Sequence, residues 1–200
     1  MKLEVECTWN EKRNKAKQII HFDFLPKSIF SMPKEKILCL QQLLEQAAER
    51  GPPVLGELQD LRKRYPKSLY ADFIYYRALE FFELTDESAE LFSEIQERYP
   101  QQVLTKCILA NRLIKQGKWD EFPALFDHVE ALKGAFPKRK AFFCEEALFF
   151  HHLWIYFYEK DGNGIQGEKH KRFFLLITQM LQSFHSAQNQ EVCSNSQEIK

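Results

Sequence analysis

Cys144, Glu145, His151 and His152 fall within one apolar stretch, residues 141–158. A thiol, a carboxylate and two imidazoles so close in sequence could make a cysteine nucleophile with a histidine base. That chemistry needs the two groups within hydrogen-bond reach, about 2.6–3.2 Å. Cys144 and His151 are seven residues apart. On a helix they share a face but stand two turns apart along it, so the spacing argues against a catalytic pair. The chain carries no P-loop, dinucleotide glycine motif or zinc-protease motif. No catalytic residue and no cofactor are expected. An enzyme with a Cys/His site around Cys144, His151 and His152 is the competing class.

The remaining cysteines, Cys7, Cys39, Cys107 and Cys193, bring the total to five. They are odd in number, widely spaced and mostly inside helical patterns. That suits free thiols in a reducing compartment better than a disulfide framework. The 28 basic residues balance 28 acidic ones, so no net field favours nucleic acid or an anionic membrane. The short basic runs around Lys12-Arg13 and Lys138-Arg139-Lys140 read as solvated turns and helix ends. Met1 to Cys7 has no apolar run, so no secretory signal is expected. The most apolar helix carries acids and histidines, so no membrane insertion is expected. The protein is read as soluble and cytoplasmic.

These side chains must be positioned by helices. Arg64-Tyr65-Pro66 and Arg98-Tyr99-Pro100 mark the ends of two segments, and their prolines are 34 residues apart. Phe136-Pro137 is a third, weaker mark. A fixed period near 34 signals a helix-turn-helix array. Helical patterns run over about 33–50, 54–64, 69–84, 86–98, 103–116, 120–133, 138–159 and 168–185. Before them, residues 2–9 and 20–24 alternate apolar and polar around the polar stretch Asn10 to Lys15. Such alternation predicts a β-hairpin; the alternative is a helix through 10–21 with frayed flanks. The domain plan is therefore an N-terminal extension over 1–30, a helical repeat domain over 33–186 and a polar, disordered tail over 187–200.

The helix at 69–84 shows two apolar stripes, Ala71, Tyr75, Ala78, Leu79 and Phe82 against Tyr70, Phe73, Ile74 and Phe81. A surface helix has one stripe, so two imply contact on two sides. The second stripe is expected to line a groove, with Leu104, Cys107 and Ile108 from the next pair. Arg77 and Asn111 would be its polar fixtures.

With these residues in view, the chain resembles the tetratricopeptide repeat family over about residues 35–185, as four helix pairs. Pro66, Pro100 and Pro137 stand where that family ends each repeat. Leu58 and Phe92 hold the large apolar position eight residues before, and Ala110 and Ala147 hold its small position. Gly117-Lys118-Trp119-Asp120 is similar to the turn between its helices. Tyr76 and Gln42 depart from the small residue, and the third unit is longer than standard. Aligned by the repeat, Cys39, Cys107 and Cys144 take one inner-helix position, with Phe73 in the remaining unit. Neighbouring helices lie about 8–10 Å apart and zinc needs ligands at about 2.0–2.3 Å, so no metal site is expected. The resemblance implies an all-α superhelix of helix pairs with a concave groove. It further implies an adaptor or scaffold whose partner is another protein or peptide. Tetratricopeptide chaperones of specialised secretion are similar in size and plan, and give the alternative within binding functions.

Overall fold

The computed structural model describes residues 2–8, 15–22 and 31–195, without the side chains of 5–8, 15–17 and 184–195. Of the expected polar turn Asn10 to Lys15, residues 10–14 lie outside the described residues, as do the thiols of Cys7 and Cys193. The chain divides into two compact units, Phe24–Ile108 and a second made of Met1–Asp23 with Leu109–Lys200.

The first unit is helical. Pro33, in extended conformation, precedes α1 (Lys34–Glu45), and the single turn α2 (Ala47–Arg50) follows it. Pro53 opens α3 (Pro53–Arg64), where its missing N–H removes no bond. Pro66 then stops the chain from continuing as a helix. The Ser68 hydroxyl accepts from the Ala71 N–H at 3.2 Å and caps α4 (Leu69–Phe81). Asp86 and Glu87 in the first turn suit the dipole of α5 (Thr85–Arg98), and α6 (Val103–Lys115), which follows Tyr99-Pro100, continues past this unit's last residue, Ile108. α3 packs on α4, α4 on α5, and α1 on both α3 and α4. Nine of the thirteen residues of α4 are buried, because it is flanked on several sides. Its second stripe is therefore core: Tyr70, Phe73 and Ile74 are buried, while Tyr75, expected inside, is only half-buried.

In the second unit, β1 (Lys2–Thr8) and β2 (Lys15–His21) pair antiparallel, with Leu3 opposite Ile20 and Val5 opposite Gln18. β1 falls on the expected 2–9, whereas β2 lies earlier than the expected 20–24, sharing only residues 20 and 21 with it. Two further features differ from expectation. The helix expected over 120–133 is broken into α7 (Glu121–Ala124) and α8 (Leu132–Ala135). Pro123 supplies no N–H, and Asp127 and His128 take left-handed φ of 52° and 57°, which a helix cannot contain. The helix expected over 138–159 begins only at residue 144. Phe142 and Phe143 instead form β3 (Phe142–Phe143), parallel to β2 in the order β1-β2-β3.

Glu146 then fixes the start of α9 (Cys144–Asp161): its carboxylate accepts from the Phe143 N–H at 2.9 Å and pairs with Arg139 at 2.9 Å. Gly162, with φ 73°, ends α9 in the left-handed conformation that favours glycine. α10 (Gly164–Asn195) returns along α9 and carries helical backbone into the stretch read from sequence as a tail. An aromatic core joins these elements. Phe122 lies 4.8 Å from Trp154 and Phe126 lies 5.0 Å from Phe150, centre to centre, both edge-on. The chain is thus mostly helical with a small sheet. No helix among the described residues is long and apolar enough to cross a membrane.

Candidate functional site

Six of the seven residues expected to floor a groove are buried: Tyr70, Phe73, Ile74, Leu104, Cys107 and Ile108. The Tyr70 hydroxyl accepts from Gln41 Nε2 at 3.0 Å. Asn111 is half-buried. Only Arg77 and Phe81 are exposed, Phe81 at 54%. Phe73, Arg77 and Phe81 recur every four residues on α4 and so lie along one side of it. The Arg77 guanidinium sits 5.7 Å over the Phe73 ring, a cation–π distance. Phe81 packs edge-on against Phe82 at 5.1 Å. What reaches the surface is a short patch with a buried aromatic base.

Cys144, His151 and His152 do not form one site. Cys144 is buried, and burial beside Glu145 pushes its thiol far up, so it stays protonated. His152 is exposed and touches Phe174. His151 instead turns to a residue the sequence reading did not single out: its Nδ1 lies 2.8 Å from Nδ1 of His170 on α10. Among the described residues, Cys39, Cys107 and Cys144 form no disulfide, and no group of three or more potential ligands could hold a metal ion.

His170 begins a relay. Its Nε2 lies 3.5 Å from Glu130 Oε2, and the Tyr158 hydroxyl donates to Glu130 Oε1 at 2.5 Å. The carboxylate only accepts, so the His170 proton belongs on Nε2. Nδ1 of neutral His170 then accepts from Nδ1–H of His151. That leaves His151 Nε2 a bare acceptor, with no hydrogen-bond partner among the described residues. Both rings are buried, and Trp154 stacks on His170 at 5.8 Å and 15°. Hydrogen bonds from His170 and Tyr158 hold the Glu130 carboxyl below its ordinary range. Burial, reinforced by Glu130, pushes the Tyr158 phenol up. Burial, and secondarily the charge of His170, keeps His151 well below the usual imidazole range. Gly167 permits this closeness, since a Cβ there would meet Tyr158 Cβ at 3.3 Å.

The surface depression at the start of α10, lined by Gly164, Ile165, Glu168, Lys169 and Arg172, shares no residue with the relay. The relay can hold and share protons; its two imidazoles are buried, while the Glu130 side chain is 38% exposed. Tyr158 and Trp154 stand seven and three residues from His151, a helical spacing that could have placed them beside it. Glu130 and His170 join only through the fold.

No protein-family model, no curated protein and no solved structure matches this chain.

Proposed function

We propose that this chain is a cytoplasmic adaptor that binds another protein or peptide, built on an array of tetratricopeptide-like helix pairs. The packing of α1, α3, α4 and α5 supports the array: each helix packs on its sequential neighbour, and α1 also packs on α4, the opening helix of the next pair. One observation carries the binding role. Phe81 is the large aromatic left most open on α4, one turn after an exposed arginine whose guanidinium is already positioned over Phe73. Aromatic and arginine side chains are the commonest binding hot spots, and ordering costs are lower where a side chain is already held.

The surface used is narrower than the sequence suggested. Arg77 and Phe81 make the contact over the buried Phe73 ring, and Tyr70, Ile74, Leu104, Cys107 and Ile108, all buried, are not available to it. The test is cross-linked capture from the native cell with the parent, Arg77→Glu and Phe81→Ala chains, identified by mass spectrometry. Each variant should weaken recovery of a specific partner by at least about 2 kcal/mol, the hot-spot threshold, with unchanged circular dichroism. A partner recovered equally well by all three chains would overturn this reading.

A further inference from the structure

α9 and α10 form a helical hairpin, and between them His151 of α9 meets His170 of α10. We propose that this pair is an acid-operated latch, closed while one proton bridges the two Nδ1 atoms and opened when the pair, already carrying one extra proton on His170, takes a further one on His151. The geometry sets the limits. At 2.8 Å the two Nδ1 atoms can hold one hydrogen between them. One extra proton on the pair can be accommodated, because His170 can then donate to Glu130 from Nε2 and to His151 from Nδ1. A further proton puts hydrogens on both facing nitrogens, so the bond becomes a like-charge contact.

Among the described residues, no counter-charge stands on the His151 side. Its neighbours there are the Phe150 and Phe173 rings, 5.4 and 4.5 Å from its centre. Among the described residues, the titratable groups around the pair are Glu130 from the segment before α8, Tyr158 from α9 and Lys169 from α10. β2 also packs on α9 and brings His21 opposite Phe143, at the start of that helix. The charged neighbour acting on His151 itself is His170. Glu130 can balance one imidazolium, and it lies beside the other ring.

The direction with pH follows by linkage. An exposed imidazole titrates near 6.5, and His151 in the closed hairpin titrates well below that. Between those two values the open state binds the extra proton and the closed state does not. Closure therefore weakens as pH falls below about 6.5, by up to about tenfold in the opening equilibrium per pH unit for one proton.

Hydrogen exchange of the full chain from pH 7.5 to 5.5, corrected for intrinsic rates, reads this opening. This window stays above the range in which Glu130 itself is protonated. Protection in α9 and α10 should fall towards tenfold per pH unit below about 6.5, while α4 and α5 keep theirs. His151→Phe, which adds a ring beside Phe150 and Phe173, should flatten that slope. A wild-type slope of zero, or an unchanged slope in H151F, would overturn the latch. Nuclear magnetic resonance titration of the His151 ring in the wild-type chain decides the matter without a variant. Its charging should accompany the loss of α10 protection. Charging near 6.5 with α10 still protected would overturn the proposal.

Discussion

Asp72 shows what a single side chain organises in the helical unit. It sits on α4 at 1% exposure, accepts from Arg62 Nε of α3 at 2.7 Å, and pairs with Arg98 Nη2 of α5 at 2.6 Å. Arg62 also reaches Glu94 of α5, and Arg98 donates to the Pro66 carbonyl at 2.8 Å. Burial pushes the Asp72 carboxyl up, and the two guanidiniums pull it back. One carboxylate thus ties three helices, with its two oxygens each given a partner, as a buried charge requires. Phe73, the next residue, decides between groove and core. An open groove residue could be truncated with little effect on stability. A ring that is 3% exposed cannot. Phe73→Ala should therefore cost about 3–5 kcal/mol, the usual range for a buried Phe, measured by urea unfolding. A cost under about 1 kcal/mol would return Phe73 to the surface.

At the scale of elements, the ends of helices are where sequence and structure agree best. The Tyr-Pro pairs and the Gly117 and Gly162 turns act through local backbone chemistry, so they can be read without knowing the fold. The end of α4 is less regular. The Leu84 N–H bonds the Leu79 carbonyl at 3.0 Å and the Glu83 N–H bonds Glu80 at 3.2 Å, a Schellman pattern. Its left-handed position is filled by Glu83, exposed, with φ 57°. A non-glycine residue there costs about 1–2 kcal/mol, and glycine gives back about 0.5–1 kcal/mol in the unfolded chain. Glu83→Gly should then raise stability by about 0.5–1 kcal/mol in thermal or urea unfolding. A loss of stability would mean that the Glu83 side chain makes a contact that outweighs its strain.

The segment from 120 to 143 was the least legible part. Pro123 is tolerated in a first helical turn, so it did not announce a break. Asp127 and His128 become left-handed for reasons outside their own window. Phe142 and Phe143 continue an apolar run that suits helix or strand, and only Ile20 and His21, some 120 residues away, select the strand. The groove was misjudged for a related reason: two apolar stripes show that a helix is covered twice, and say nothing of what covers it. The relay escaped notice because Glu130 and His170 lie 40 residues apart on segments with no common period.

At the scale of the molecule, the N-terminal strands belong with the C-terminal helices. β2 pairs with β3 and packs on α8 and α9. Ile20 and Phe22 are buried, and Gln18, 2% exposed, accepts from the Lys133 N–H at 3.3 Å through its amide oxygen. A lone two-stranded hairpin is marginal in water, so these contacts are what hold it. They work in both directions, because removing β2 uncovers Phe142, Leu132 and the Lys133 amide. Each large apolar side chain stripped of cover loses about 1.5–3 kcal/mol of burial. Deleting residues 1–22 should accordingly make residues 132–161 sensitive to protease at concentrations that leave the parent intact. α3, α4 and α5 carry their own core and the Asp72 ties, and they should resist as before. If 132–161 stays as resistant in the deletion as in the parent, α8, β3 and α9 are held without the sheet. If α3 to α5 become equally sensitive, the helical unit depends on the strands as much as α9 does.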